Sequence, residues 1–232
     1  MGFISFLYFS HPDVKELIDK NPATTSFIEF RKQQARDNGD SLTIKHKWIP
    51  YKRIPRVLRR TVVLSEDASF WVHHGVDWFE LEIAIRESFE NDKKLRGAST
   101  ISQQTAKNLY LTPERNWLRK LREIMITWDM EKHLSKTRIL EIYLNCIEFG
   151  EGVFGIRSAA QHFFRKTPEQ LQLVEMVRLT AIIPNPLGLH PQKPTPELKW
   201  RAYGILKRLR QYHRITESEY WSTRKQLDNF FN

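Results

Sequence analysis

The amino-acid sequence predicts a mostly α-helical protein, and three kinds of observation lead to this prediction. The composition favours helices, because the 232 residues include only 9 glycines and are rich in leucine, glutamate, lysine, arginine and isoleucine. The tripeptide Thr-Pro-Glu, which is typical of a helix start, recurs along the chain. Apolar residues recur at the spacing of one helix face, whereas alternation of period two is scarce.

Composition and charge narrow the class of protein. A hydrophobic fraction of 41% with 12% aromatic residues excludes a disordered chain. The length suits a single domain, with at most one additional smaller lobe. The net charge of +10 favours an anionic partner, namely nucleic acid, phospholipid headgroups or a phosphorylated substrate. Cys146 is the single cysteine, so no internal disulfide forms, and its apolar surroundings predict a core position.

The N-terminal residues predict a segment close to a membrane. Met1 to Phe9 is apolar but spans only about half of the ~20 residues that a membrane-crossing helix needs. It lacks the features of a signal peptide. We expect either a short interfacial anchor or, by preference, the end of a longer anchor. Residues 10 to 55 are predicted to be irregular, since three prolines interrupt them at positions 12, 22 and 50.

From Pro55 onward the helix signals dominate. An apolar pattern from Val57 to Val62 predicts a first helix that leads to Glu66, and Thr100 with Gln103 has capping-box spacing. Three further starts each offer a threonine N-cap, a proline at the first helical position and an acid near the positive end of the helix. They are Thr112-Pro113-Glu114, Thr167-Pro168-Glu169 (with Gln170 completing a capping box) and Thr195-Pro196-Glu197.

The predicted helices differ in how much of their surface is apolar. The helix after Thr112 has one apolar stripe, and the helix after Ser135 has another. Leu171 to Ile183 is apolar almost all round, which predicts a buried central helix that ends at Pro184. Lys199 to Tyr212 is amphipathic and basic. The two stripes consist of Trp117, Leu118, Leu121, Ile124, Met125 and Trp128, and of Ile139, Leu140, Tyr143 and Leu144.

Glu66 and Asp67 form the first candidate site. By residue type alone, two adjacent acids after an apolar run usually mark a solvated helix end. The aromatic residues that follow, from Phe70 to Phe79, favour a different interpretation, because burial raises the pKa of a carboxyl group and suits it to accept a proton. Nearby His73 is interpreted as a structural histidine that binds the loop at Glu66, in preference to a metal ligand or proton shuttle.

Residues 96 to 108 form the second candidate site. A glycine at 97 is followed by a helix that is rich in amides and hydroxyls, next to basic residues. Such a helix start is suited to bind phosphate. The alternative is a polar surface helix.

Glu123 is the third candidate, on the helix after Thr112. Glu123 falls opposite the stripe of Trp117 and Trp128. Arg119 lies one turn earlier, where its side chain could form an ion pair with Glu123. An exposed pair would serve solubility, so a functional role requires this face to line a cleft.

These residues, taken together and in order, resemble the family 51 glycosyltransferases of peptidoglycan synthesis, and among them the monofunctional biosynthetic transglycosylases. The resemblance covers roughly residues 55 to 191. Its motifs are Glu66-Asp67-x-x-Phe70-x-x-His73-x-Gly75-Val76-Asp77, Gly97-Ala98-Ser99-Thr100-Ile101-Ser102-Gln103-Gln104-x-Ala106-Lys107-Asn108, Arg119-Lys120-x-x-Glu123, Lys136-x-x-Ile139-Leu140-Glu141-x-Tyr143-Leu144-Asn145 and Phe149-Gly150-x-Gly152-Val153-Phe154-Gly155.

The resemblance implies a fold, a domain layout and a reaction. The fold is a lysozyme-like catalytic lobe with a smaller membrane-facing jaw lobe. The expected layout is a membrane-proximal segment (1–50), a transglycosylase domain (51–215) and a C-terminal tail (216–232). The expected reaction polymerises lipid II, the lipid-linked disaccharide-peptide, into β-1,4 glycan strands and releases undecaprenyl pyrophosphate. Bifunctional relatives add a transpeptidase domain, for which the residues after Leu209 are too few, so we expect no cross-linking activity.

The resemblance also implies roles for individual residues. Glu66 would be the general base, and Glu123 a second carboxylate that orients the reacting groups or stabilises positive charge at the anomeric carbon. Cations would stabilise the pyrophosphate leaving group. The expected substrate-binding residues are Lys107, Arg115, Lys120, Ser99, Thr100, Gln104 and Asn108. No cofactor is required and no metal-ligand cluster is evident, so a divalent cation, Mg²⁺ or Mn²⁺, is optional.

Two other interpretations compete with this one. A lytic enzyme on the same scaffold would also use an acid in apolar surroundings, but it has no need of the cations at 107 and 115. A nucleic-acid-binding module fits the charge, but stacking aromatic residues among the basic ones are not evident, so we expect no nucleic-acid partner. The expected partners are lipid II, the growing glycan chain, the membrane surface and cell-wall or division proteins. The expected location is the periplasmic or extracytoplasmic side of the inner membrane.

Overall fold

The computed structural model describes residues 11–91, 99–114 and 116–232, and helices account for most of them, as predicted. Strands are short and few in this part of the chain. The helices are α1 (Ser26–Asp37), α2 (Arg56–Glu66), α3 (Trp78–Asn91), α4 (Ile101–Tyr110), α5 (Trp117–His133), α6 (Lys136–Cys146), α7 (Ile156–Ala159), α8 (Leu173–Ile182), α9 (Pro196–Gln211) and α10 (Glu217–Phe231). Short 3-10 turns lie at Val14–Ile18, Tyr51–Arg53 and Pro168–Gln170, and a π-helical turn, Ala160–Phe164, continues α7.

The chain divides into two compact units. The first unit comprises Met1–Phe30 and Ser69–Tyr143, and the second comprises Arg31–Ala68 and Leu144–Asn232. In the first unit α4 packs along α5, and α5 also contacts the turn at Val14–Ile18. The inner residues of α6 in this unit, Ile139, Leu140 and Tyr143, are fully buried, as the sequence predicts.

The second unit is built around α8, which contacts α2, α9 and α10. Its residues from Val174 to Ile182 are buried except for Arg178, because the helix is apolar on nearly every side. The predicted buried central helix is therefore confirmed. Helix α9 turns Leu198, Ala202, Ile205, Leu206 and Leu209 inward, and the residues predicted to form a C-terminal tail include α10.

A small sheet completes the second unit. β1 (Lys45–His46) runs parallel to β3 (Val153–Phe154), which pairs antiparallel with β2 (Glu148–Gly150). Asn145 ties this sheet to the preceding loop, since its side chain accepts from the N–H of Ile49 at 2.8 Å and donates to the Ile49 carbonyl at 2.9 Å. Gly155 has a φ of +79°, and a Cβ there would lie 2.5 Å from the Asn145 carbonyl, so only glycine fits.

The predicted helix starts are confirmed at three places. Thr100 and Gln103 form a complete capping box, and Thr195 accepts from the N–H of Leu198. Thr167 and Gln170 form a capping box too, but it closes the short turn Pro168–Gln170, and α8 starts separately after Gln172. These starts are predictable because a cap is a bond between residues three positions apart.

Two predictions are wrong. Residues 10 to 55 are not irregular throughout, since they contain α1, in which Thr25 accepts from the N–H of Ile28. This helix buries only Ile28, so it has no apolar stripe from which it could be predicted. Thr112 does not start a helix. α5 begins at Trp117 instead, because Asn116, a stronger N-cap than threonine, accepts from the N–H of Arg119 at 2.7 Å.

Cys146 is buried and forms no disulfide, as predicted. Among the described residues, no helix combines the length and the apolar character that crossing a membrane requires. The apolar run Met1 to Phe9 lies outside the described residues.

Candidate active site

Glu66 is the last residue of α2 in the second unit. The apolar face of this helix, which includes Leu58 and Val62, is buried, and the Glu66 side chain is half-buried. Asp67 follows as the C-cap and is 8% exposed, with its N–H donating to the Val63 carbonyl at 2.8 Å. Acids are normally found at the other end of a helix, where the dipole is positive. The stability of α2 therefore does not account for two acids here.

Glu123 lies in the first unit, on the inner face of α5. Its side chain is only 3% exposed, and both oxygens are bound by cations from the preceding turn. Arg119 donates from Nη1 to Oε2 at 2.7 Å, and the Lys120 ammonium donates to Oε1. The interpretation of Glu123 as part of an exposed ion pair that serves only solubility is thus excluded. The carboxylate is enclosed, and its buried charge needs these two partners.

The exposure of α5 is the reverse of what an apolar stripe usually indicates. Trp117, Leu121 and Trp128 share one face, and they are 71%, 37% and 50% exposed. The opposite face, with Glu123 and Thr127, is buried. Soluble helices normally bury their apolar face, so an apolar stripe exposed in the described part of the chain is typical of a contact surface.

Other exposed apolar side chains of the first unit lie on a neighbouring segment. Trp71, Val72, Trp78 and Phe79 are 49%, 75%, 62% and 71% exposed. This segment is fixed to α5 at Gly75, where a Cβ would come within 2.9 Å of the Thr127 side chain. We call Trp71, Val72, Trp78, Phe79, Trp117, Leu121 and Trp128 the aromatic surface.

Helix α4 buries the amides and hydroxyls that the sequence singles out. Thr100, Ser102, Gln103 and Asn108 are at most 6% exposed, so the alternative of a polar surface helix is wrong. The Thr100 hydroxyl caps the helix and also donates to the Gly75 carbonyl at 2.6 Å. Asn108 donates to the Gln104 carbonyl at 2.7 Å. Helix α4 thereby holds the segment at Gly75.

More accessible groups lie just before α4 and along it. Ser99 is exposed, and its hydroxyl accepts from the Lys120 ammonium at 3.4 Å. The Gln104 side chain accepts from the Tyr143 hydroxyl at 3.1 Å, and Lys107 is half-buried. The first unit therefore brings Ser99, Lys120 and Glu123 together.

A second buried acid on α5 was not predicted. Glu131 accepts from the hydroxyl of Ser102 and from the ammonium of Lys136, the latter at 2.7 Å, and its side chain is 8% exposed. Lys136 also lies 4.6 Å from the ring centre of Phe70 and 3.5 Å from Nδ1 of His73. The spacing of Glu123, Thr127 and Glu131, one residue per turn on one face, is a signal that could have identified it.

His73 and Asp77 have structural surroundings in the described part of the chain. The His73 ring accepts from the N–H of Gly75 at 3.1 Å. Asp77 caps α3, where it accepts from the N–H of Glu80 at 3.0 Å, and it binds the Ser69 hydroxyl. Burial acts to raise the pKa of Asp77, but these hydrogen bonds and the nearby His73 lower it below its usual value.

Arg115 lies outside the described residues, as do residues 92–98 with the start of the second motif. The described residues contain no group of three or more histidine, cysteine or acidic side chains placed to hold a metal ion. Glu66 belongs to the second unit, whereas Glu123, Lys107, Lys120 and α4 belong to the first.

Comparison with known proteins relates this arrangement to a family. A family profile described as "Transglycosylase" matches residues 35–210. A biosynthetic peptidoglycan transglycosylase of Herminiimonas arsenicoxydans is 41% identical over 192 residues, which are 83% of each chain. One of Pasteurella multocida is 43% identical over 169 residues, which are 73% of this chain and 68% of that one.

Both observations cover most of the chain, and together they favour the peptidoglycan transglycosylase among the three interpretations. The matched residues include Glu66, α4 and Glu123. The chain therefore belongs to the transglycosylase family and is a peptidoglycan glycosyltransferase.

Proposed function

We propose that this glycosyltransferase polymerises lipid II at the extracytoplasmic surface of the inner membrane. The 4-hydroxyl oxygen of the acceptor sugar attacks the anomeric carbon of the growing chain. The bond from that carbon to the pyrophosphate oxygen breaks, and undecaprenyl pyrophosphate leaves with the electron pair. Attack from the opposite side inverts the α-linked donor and forms a β-1,4 bond.

Glu66 is proposed as the general base that takes the proton of the attacking hydroxyl. Its half-buried position at the C-terminal end of α2 supports this role, because the side chain is accessible and the helix dipole does not favour an acid there. General base catalysis is typically worth about 10²–10⁴-fold in rate.

The enclosed position of Glu123 between two cations is the observation that carries the proposal. A buried acid held by Arg119 and Lys120 is ordered before substrate binds. It is therefore suited to orient the reacting groups or to stabilise positive charge at the anomeric carbon. Because the Lys120 side chain is 40% exposed, its ammonium can also bind an anionic group of the substrate.

Three cations are proposed to bind the pyrophosphate, namely Lys107, Arg115 and Lys120. Negative charge develops there in the transition state, so these cations stabilise it more than they stabilise bound substrate. Ser99 and Gln104 are proposed to bind sugar or phosphate oxygens. Thr100 and Asn108 are proposed to contribute indirectly, by fixing the start and the conformation of α4. The side chain of each donates a hydrogen bond to a backbone carbonyl. A divalent cation, Mg²⁺ or Mn²⁺, is proposed as stimulatory and not required.

The aromatic surface is proposed to rest in the membrane interface. Tryptophan is well suited to this region, since it joins a large apolar ring to one polar N–H group. Contact with the bilayer would keep the first unit next to a substrate whose lipid stays in the membrane. We assign this surface to the membrane-facing jaw lobe that the family resemblance implies. Cell-wall synthesis or division proteins are proposed as partners, and no transpeptidase activity is proposed.

The direct test is incubation of the purified chain with lipid II in detergent, with glycan strands separated on a gel. We expect polymer from the unaltered chain, and Arg115→Ala should lower kcat more than it raises KM. Chelation of divalent cations should slow polymerisation without abolishing it. In parallel, purified sacculi should release no soluble fragments. Fragment release without polymer formation would refute the proposal.

A further inference from the structure

The second unit contains a cavity of about 330 Å³ whose residues have no part in the proposed reaction. Residues 44–47, which include β1, form one side of it. The other side is formed from the end of α7 and its π-helical continuation, by residues between Ser158 and Arg165. The cavity has the size of a small-molecule site.

Cations line this cavity, and acids do not. Lys45, Lys47 and Arg165 are among the lining residues, and the lining includes no aspartate or glutamate. None of the three forms an ion pair with an acid among the residues that the structure describes. Gln161 adds an amide that can donate hydrogen bonds. A group of like charges that is not neutralised from within is suited to an anion from outside.

Two histidines, His46 and His162, also line the cavity. The Lys45 ammonium, which can only donate, lies 2.9 Å from Nδ1 of His162, so Nδ1 accepts and Nε2 carries the hydrogen. Burial lowers the pKa of His162, and the positive charges of Lys45, Arg165 and His190 lower it further. Burial also lowers the pKa of His46, although its bond to the Asn145 carbonyl opposes this. The neighbours that lower the pKa of His162 are thus all basic side chains.

The backbone at Arg165 provides an independent observation. Arg165 has a φ of +58°, in the left-handed region that glycine and asparagine adopt more readily. It ends the π-helical turn Ala160–Phe164. Both features cost free energy, and both are found more often at functional sites than elsewhere. Local backbone preference therefore does not explain an arginine here.

We propose that this cavity binds a phosphate group, with the Arg165 guanidinium and the Lys45 ammonium as its main ligands and Lys47 as a third cation. Phosphate fits better than a carboxylate, because its greater charge matches three cations and its oxygens can accept from several donors at once. The group could belong to a soluble phosphate ester or to the headgroup of an anionic phospholipid. This proposal does not depend on the glycosyl-transfer mechanism.

The test uses the full chain and two phosphate sources. Inorganic phosphate and glycerol phosphate are titrated by calorimetry at low ionic strength, with sodium chloride of equal ionic strength as the blank. Flotation with vesicles of phosphatidylcholine, with and without phosphatidylglycerol, measures the part of membrane binding that depends on anionic lipid. Arg165→Asn and Lys45→Gln should each weaken phosphate binding about tenfold, since each removes a charged hydrogen-bond donor.

Asparagine tolerates the left-handed conformation, so Arg165→Asn should keep its fold, and circular dichroism checks this. Lys225→Gln removes an equal charge from exposed α10 and is the matched control. Weaker binding in the titration identifies a soluble phosphate as the ligand, and a loss confined to phosphatidylglycerol vesicles identifies the headgroup. If the Arg165 and Lys45 variants behave like Lys225→Gln in both arms, the proposal is wrong.

Discussion

Arg119 donates a hydrogen bond of 2.7 Å to Glu123 one turn away, and the two side chains are only 15% and 3% exposed. Neither charge can be hydrated fully, so each depends on the other. Lys120 completes the arrangement, but its side chain is 40% exposed. This difference in burial makes the two cations unequal contributors to stability.

We expect Arg119→Met to lower the free energy of unfolding by about 3 kcal/mol, because it leaves a buried carboxylate with one partner fewer. Lys120→Met should cost less than about 1 kcal/mol, since water replaces an exposed cation. Urea denaturation followed by circular dichroism measures both. Lys132→Met, at an exposed position of the same helix, is the control and should change little. Equal losses for the Arg119 and Lys120 variants would contradict this interpretation.

Glu66→Gln should reduce polymerisation of lipid II by about 10²–10⁴-fold, because glutamine cannot accept the hydroxyl proton. The side chain is half-buried and similar in shape, so the melting temperature should hardly change. Initial rates of glycan synthesis and a thermal melt test the two parts. Glu151→Gln, an exposed acid of the second unit, should retain full activity. If Glu66→Gln polymerises lipid II at nearly the rate of the unaltered chain, Glu66 is not the general base.

Asp77 should make stability depend on pH. Its pKa in the folded chain lies below the usual 3.8, so the unfolded chain binds the proton more tightly. The stabilisation is therefore complete above about pH 4 to 5 and is lost as the pH falls through the lowered pKa. Asp77→Asn keeps an N-cap but removes the charge, and it should cost about 1 kcal/mol at neutral pH.

Unfolding midpoints at neutral and acidic pH test this dependence. The difference between Asp77→Asn and the unaltered chain should shrink at the acidic end. Asp40→Asn, at an exposed position, provides the control. A difference that stays constant across the range would show that Asp77 acts without its charge.

The aromatic surface should determine binding to neutral membranes. We expect the double substitution Trp71→Ser with Trp117→Ser to weaken binding to phosphatidylcholine vesicles about tenfold or more, since two large rings no longer enter the interface. Sedimentation with vesicles measures the binding. Trp200 and Trp221 in the second unit are 74% and 57% exposed, so replacing both by serine is a matched control. A similar loss in both double variants would refute a role specific to the aromatic surface.

Local signals in the sequence predicted several elements correctly. The capping box at Thr100 and the N-cap at Thr195 were predictable, because they are bonds between near neighbours. The buried helix α8 was predictable from its apolar residues on all sides. In contrast, α1 buries one residue, and its stability comes from contacts such as the pair of Arg31 with Glu148 at 2.8 Å, far apart in sequence. Such a helix leaves no periodic signal.

The sequence by itself determined the helical class, the family and the identity of the candidate acids, because these depend on residue type and spacing alone. Only the tertiary structure decided which face of α5 is buried. The periodicity of Trp117, Leu121 and Trp128 shows that they share a side, but a helix cannot specify what covers that side. In the structure α5 packs against α4, Glu123 is buried and the tryptophans are exposed, so the same pattern that usually indicates a core here forms a surface.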